Sequence, residues 1–418
     1  MRNRIKEICD YISRGAAPDY VDESPNKVMN QATFSKGYID ESNVRFSSKN
    51  PGYAQIHKGD LLMASTGGGV LGKVVYFDKN ENDFYADSHV SILRNSKGKN
   101  SMKFLYYWFS TRYDEINATM VKGSTNQTEL QRDYLLNYEI DIPGLEVQQR
   151  VVSYLDEKTG KIDRVVALLE RKREAYVRLK TSLINRVVTR GLDPSVAMRP
   201  SGIDWLGDIP AHWRRLRLKD VSYMYSGLTG KSGDDFRCDD DTKTKPYVPF
   251  TNVLNNIRID FNHFNRVVMT DDEQQNQVCE NDLIFLMSSE DYESIAKSAV
   301  VIGDPGEVYL NSFCRGLHFT SNNIYAPFVN YQLNATKYRD SLRFEARGFT
   351  RINIKIEKIA SQFISVPPLE EQRAIAAYLD EKCGAIDAAI EITGKQIDAY
   401  KRLKRSLINE VVTGQRAV

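Results

Sequence analysis

The sequence predicts an α+β fold: two mixed α/β globules, separated by two long helices that pack on each other as a coiled coil, in an internal repeat. Three observations carry this. First, PGLEVQQRVVSYLDEKTGKIDRVVALLERKREAYVRLKTSLINRVVT, starting at Pro143, returns as PPLEEQRAIAAYLDEKCGAIDAAIEITGKQIDAYKRLKRSLINEVVT, starting at Pro367, with no gap between the two. Roughly half the aligned positions are identical, the mark of a duplication. Second, each copy carries a stripe of apolar residues at seven-residue spacing, unbroken in the first and interrupted by Thr393 in the second. Third, each copy follows a long stretch of short β-like runs bounded by Gly, Asn and Asp. The expected order is a globule over 1–142, a helical spacer over 143–190, a linker over 191–211, a second globule over 212–366 and a second spacer over 367–418.

The first globule has weak echoes in the second, in the same order. Ile5–Ile8 matches Leu218–Val221, and Gly59–Leu62 matches Asn281–Ile284. A helix-like apolar segment, Phe104–Tyr113 or Phe328–Tyr338, precedes Gly123-Ser124-Thr125 or Gly348-Phe349-Thr350, and a last strand then leads into the repeat. The duplication therefore covers the whole chain, and the globules differ far more than the helices do.

In the first spacer Leu155, Ile162, Leu169, Tyr176 and Leu183 form the heptad stripe, flanked by Val165, Val166, Leu179 and Val187. In the second, Leu379, Ile386, Tyr400 and Leu407 take the same places, joined by Ile390, Ile397, Leu403 and Val411. This is the seam of a coiled coil, with Arg171–Glu174 facing away. Gly160 and Gly384 are expected to break or kink each helix, and Gly191 and Gly414 to stop it. Thirty helical residues reach about 45 Å. Each stripe lacks a partner in its own globule, so the helices pack together, in either polarity as far as periodicity tells. Antiparallel packing would give a pseudo-twofold plan that matches the local symmetry of DNA. The stripe has more apolar and Tyr positions than one seam uses, which predicts a docking face for another protein at Leu155, Ile162, Tyr176, Leu183, Leu379, Ile386, Tyr400 and Leu407.

The 418 residues carry a net charge of +2, with ordinary apolar and charged fractions. Wholesale disorder is excluded, and a polyanion surface would have to come from local clusters of Lys and Arg. Five scattered cysteines, none in C-x-x-C spacing, argue against disulfide and zinc frameworks and for a reducing cytoplasm. No apolar run reaches the roughly 20 residues of a membrane span. In the linker, Trp205 and Trp213 are expected to pack rather than to stack on a base.

Gly67–Lys73, GGGVLGK, imitates a phosphate-binding loop. However, Val74 stands where a Ser or Thr should hold Mg²⁺, and KVVYF continues as a strand. A tight hairpin turn is the better reading, with Ser65, Thr66 and Lys73 as polar contacts. Lys122–Glu129 and Arg347–Lys355 are the strongest candidates for nucleic-acid contact. Each places a glycine among hydroxyl, amide and basic groups of the kind that pair with base edges and phosphates. The candidate DNA-contact set is Ser65, Thr66, Lys73, His89, Lys122, Ser124, Thr125, Asn126, Gln127, Ser288, Ser289, Arg315, Arg347, Thr350, Arg351 and Asn353. Asp234–Asp241 reads as an exposed acidic loop. No catalytic or metal-binding constellation stands out, and a coiled-coil scaffold or adaptor without a DNA role is the alternative from another class.

Several motifs together resemble one family, the specificity subunit of type I restriction–modification systems, over essentially the whole chain. They are P-x-L-E-x-Q at Pro143–Gln148 and PPLEEQ at Pro367–Gln372, the Tyr-Leu-Asp-Glu-Lys runs at 154–158 and 378–382, Ile-Asp at 162–163 and 386–387, the Leu-Ile-Asn tails, and SGIDWLGDIPAHW in the linker. The resemblance implies two target-recognition domains on antiparallel helices, each reading one half of a bipartite, asymmetric DNA site. It implies no chemistry and no cofactor in this chain. S-adenosylmethionine, ATP and Mg are expected in the partners, which are two adenine-methylating modification subunits and the restriction subunits. Service in a related phage-defence system would use the same reading surface.

Overall fold

The computed structural model describes residues 2–122, 128–237, 243–270 and 272–418. The chain divides into two compact units, Met1–Arg171 with Gly394–Val418, and Lys172–Thr393. Each unit holds one globule and about half of each long helix.

In the first unit β1 (Tyr11–Arg14), β2 (Leu61–Ala64), β3 (Val74–Tyr76) and β4 (Val90–Arg94) form an antiparallel sheet in the order β1-β4-β2-β3. In the second, β5 (Ser222–Ser226), β6 (Leu283–Leu286), β7 (Ser298–Val300) and β8 (Cys314–Phe319) repeat that order as β5-β8-β6-β7. The central strands LLMA and LIFL are wholly buried, as continuous apolar runs between two packed faces must be. A second sheet in each unit carries one parallel pair, Lys27–Met29 with Phe84–Ala86 and Tyr247–Val248 with Tyr309–Leu310. The echo at Asp60 and Asp282 has a structural cause. Both carboxylates are fully buried and accept a backbone N–H three residues upstream, from His57 at 2.7 Å and Cys279 at 2.9 Å.

The apolar segments after the sheets are pairs of helices rather than single ones: α1 (Met102–Ser110) with α2 (Tyr113–Thr119) in the first unit, and α4 (Ala326–Asn334) with α5 (Thr336–Glu345) in the second. The long helices are α3 (Leu145–Arg190) and α6 (Leu369–Val412). Both run through Gly160 and Gly384 without a break, contrary to the sequence expectation. A glycine in a helix costs about 1 kcal/mol, which packing along a helix of this length readily offsets. Gly191 and Gly414, at φ of +76° and +74°, do end the helices.

The repeat is a repeat of bonds. Gln148, fully buried, accepts from Ser101 N at 2.8 Å and donates to Pro143 O and the Asn100 side chain. Gln372 likewise accepts from Tyr325 N at 2.8 Å and donates to Pro367 O and Asn323 O. Tyr107 donates to Asp156 at 2.6 Å, and Tyr331 to Asp380 at 2.7 Å. Burial, reinforced by these carboxylates, pushes both phenols well above the usual tyrosine range. Asn409 accepts from Arg112, and Asn185 binds Thr336 through both backbone and side chain.

Within each unit the helix pair is antiparallel. In the first, Asp163 meets Lys404 at 2.7 Å and Glu170 meets Lys401 at 3.4 Å, so one helix ascends as the other descends. In the second, Lys180 meets Asp387 at 2.7 Å while Val187 and Val188, further along, share a core with Ile375 and Leu379. The Asp163–Lys404 and Asp387–Lys180 pairs join the same two positions of the repeat.

In the linker Trp213 is buried edge-to-face on Phe328 and donates to Glu371 at 3.0 Å, while Trp205 lies edge-to-face on Tyr338. Both tryptophans pack, as expected. No helix among the described residues is long and apolar enough to cross a membrane.

Candidate nucleic-acid interface

Both units build their candidate surface at the same place, where the chain leaves the central strand and a later segment returns to pair with it. In the first unit Ser65 N donates to His89 O and Leu130 N to Ser65 O, each at 2.8 Å. In the second, Met287 N donates to Phe313 O at 3.0 Å and Ile354 N to Met287 O at 3.1 Å. The loops between, Lys122–Glu129 and Arg347–Lys355, are the two that the sequence singled out.

At the first unit's surface Thr66 Oγ1 and His89 Nδ1 are 2.6 Å apart, and the backbone amide of His89 donates to Asp87 at 2.8 Å. Burial raises the Asp87 carboxyl above its ordinary range, against that amide, which lowers it. Thr66 pairs with Glu129, whose carboxylate holds Arg14 in a salt bridge. Ser65 does not join this surface. It is buried between the two segments that pair with its backbone, with its hydroxyl 2.6 Å from that of Ser91. Lys73 also lies elsewhere: its ammonium donates to Ser35 O at 2.6 Å. Gly67–Lys73 is the expected hairpin turn between β2 and β3, with Gly67, Gly69 and Gly72 at positive φ. The expected contacts Ser124, Thr125, Asn126 and Gln127 lie outside the described residues, as does the Lys122 side chain.

The second unit brings its set together. Ser288–Ser289 pairs antiparallel with Ile352–Asn353. Arg347 and Asn353 exchange two backbone hydrogen bonds, at 3.0 and 2.9 Å, which close the loop at its neck. Arg347, Thr350, Arg351 and Asn353 are exposed, and half-buried Arg315 stands in the same open groove as Arg351, Asn353 and Lys355. The Arg351 guanidinium lies 4.5 Å from the Phe313 ring centroid, a cation–π contact that orients it. Ser288 and Ser289 are buried in the strand pairing, and Ser289 Oγ accepts from Asp291 N at 3.4 Å. Ser288 Oγ accepts a long 3.5 Å bond from Arg351.

The candidate contact set left out Arg14 in the first unit and Tyr292 and Phe313 in the second, and it passed over Glu129 and Phe349 although both lie in the segments singled out. The signal for Phe349 was present in RGFTR: an apolar residue in a polar turn with no periodic partner. The docking stripe also needs correcting. Leu155, Leu379 and Leu407 are buried in the cores of their own units, and Ile162, Tyr176, Leu183, Ile386 and Tyr400 are half-buried. Exposed apolar residues include Leu168 and Leu403 in the first unit and Leu179 and Ile392 in the second, which are the same two repeat positions; Val147 and Val177 are exposed as well, without an apolar counterpart in the other copy. Leu179 and Leu403 therefore point away from the seam they were expected to flank.

Two copies of one sheet-and-helix design, each with polar and basic side chains exposed beside the end of its central strand, define a duplicated recognition protein on a helical frame. Residues 2–173 and 210–399 match the family described as the type I restriction modification DNA specificity domain. These matches span most of the chain, and the chain belongs to that family: it is a sequence-specificity subunit of the type I restriction–modification class. The type I restriction enzyme MjaVIII specificity subunit of Methanocaldococcus jannaschii is 21% identical over 323 residues, 75% of this chain and 70% of that protein. A solved chain of a type I R-M system, from a structure addressing complex assembly and conformational transition, shares the fold with a TM-score of 0.70 at 15% identity, over 99% of this chain and 97% of that one. The HsdS subunit of Thermoanaerobacter tengcongensis superposes with a TM-score of 0.51 at 16% identity, over 100% and 97%.

Proposed function

We propose that each globule reads one half of a bipartite, asymmetric DNA sequence, and that the helix pair docks two modification subunits. Those subunits hold S-adenosylmethionine and methylate adenine. In the full assembly, restriction subunits bring ATP and Mg. The observation that carries this reading is the contrast between a frame whose anchoring residues recur at matching positions and loops whose sequences do not. Two equal supports holding unlike loops suit a site whose halves differ.

At the second end Arg351, Arg315 and Asn353 offer a guanidinium fork and an amide, groups that pair bidentately with guanine and adenine in the major groove. At the first end Thr66 and His89 are the candidate contacts among the described residues. Leu168, Leu179, Ile392 and Leu403 supply apolar docking positions on the helices, one pair per unit, consistent with two copies of one partner.

Methylation mapping tests the proposal, using DNA from cells that express this chain with its modification subunit. A two-part motif with methylated adenine in both halves is expected; a single continuous motif counts against it. Binding of the assembled complex should also weaken steeply as salt rises, because phosphate contacts release counterions. A salt-independent complex would favour the scaffold reading instead.

A further inference from the structure

The loop that carries Arg351 also carries a bare phenyl ring. Phe349 is 103% exposed, as open as the residue can be, and no ring or cation among the described residues stacks on it. A lone exposed apolar residue needs no explanation, but this one stands at the apex of a group. Phe344, Phe313 and Tyr292 are 75%, 44% and 47% exposed around the same loop, with Arg347 and Arg351 between them.

The tip is braced. Two backbone bonds between Arg347 and Asn353 close its neck, Asn353 Nδ2 donates to Arg351 O at 3.2 Å, and Tyr292 reaches Gly348 O at 3.5 Å. Gly348 sits at φ +143°, and a Cβ there would lie 1.9 Å from the Arg351 carbonyl oxygen, so the turn requires glycine. The ring is thus held out on a tight hairpin, beside cations suited to phosphates.

We propose that Phe349 is a wedge that enters between adjacent base pairs of the half-site read by the second unit, partly unstacking one step. This rests on the DNA-reading assignment above and deepens it. Apolar side chains inserted this way kink the duplex, and steps that unstack readily accept them best, so specificity arises at a step that no hydrogen bond reads. Ser124 occupies the corresponding place in the first unit's sequence, so the wedge belongs to one half-site only.

The test uses the chain assembled with its modification subunit, on duplexes of the mapped site carrying 2-aminopurine at each step of that half in turn. Wild type should brighten one step. Phe349→Ala should abolish that signal and weaken binding roughly tenfold, leaving the salt slope and the other half-site unchanged; Phe349→Leu should keep part of both. If Phe349→Ala leaves fluorescence and affinity unchanged while Arg351→Ala relaxes the motif, the wedge is overturned and the reading stands. If neither variant changes the motif, the assignment of this end as a reader falls, and the wedge with it. Loss of modification-subunit capture by Phe349→Ala, with fluorescence intact, would also overturn the proposal, by making the ring a protein contact.

Discussion

The two units use one set of anchors and two different ends. Gln148 and Gln372 tie each long helix to the segment ahead of its globule's helix pair, Tyr107 and Tyr331 reach the same carboxylate position, and each Leu-Ile-Asn tail grips the start of a globule helix. At the loops the correspondence stops. A Thr–His contact beside an Arg–Glu pair faces solvent in one unit, and an arginine–aromatic cluster in the other. Where the sequence repeats, a buried polar group has a fixed list of partners, and any change leaves one of them unpaired. Where the described residues of the two ends face solvent, water completes the bonding, and the residues are free to differ.

The largest effects should come from the anchors. Gln148→Ala and Gln372→Ala each strand a buried N–H and two acceptors, and should cost about 3 kcal/mol in denaturant titrations. If one loss exceeds the other by more than about 1 kcal/mol, the equivalence of the frames breaks.

Next, Arg351→Ala should weaken binding by about 1–3 kcal/mol and relax the motif in one half only, with melting unchanged. Relaxation in both halves would mean that the ends are not independent readers.

Tyr107→Phe and Tyr331→Phe should each remove about 1.5 kcal/mol. Their folded phenol values lie above the ordinary value near 10, so this stabilisation is complete below that pH and fades as pH rises through the folded value. Alkaline titration of stability should therefore be flatter in both variants, and a steeper profile would reverse the sign.

The smallest effect belongs to Asp163→Asn and Asp387→Asn, whose ion pairs are open to solvent. About 0.5 kcal/mol or less is expected, shrinking further in salt.

The helices, their stops and the packed tryptophans were legible in the sequence because period and capping are local signals. The duplicated P-x-L-E-x-Q was legible as a motif, but the three bonds of its glutamine were not, since two of the partners are distant in the chain. The break expected at Gly160 and Gly384 failed because intrinsic propensity is a weak term in a long packed helix. Ser65, Ser288 and Ser289 were chosen by chemistry, but each sits at the end of a strand covered on both faces, where a later segment pairs back over it. Leu179 and Leu403 fit the stripe on paper, yet they face solvent, because seven residues do not close two helical turns evenly and flank positions rotate off the seam.

One feature bears on how the protein is made. The second unit is a single continuous stretch, Lys172–Thr393, whereas the first is closed only by Gly394–Val418. Leu407, Ile408, Val411 and Val412 complete the core around Val151 and Leu155. At roughly 5–20 residues per second, the ribosome delivers those side chains on the order of tens of seconds after the first globule emerges. The later-synthesised unit is therefore the first able to finish folding. Its elder waits with an apolar flank open, so a chain truncated shortly before residue 394 should keep one folded half and leave the other exposed to chaperones and proteases.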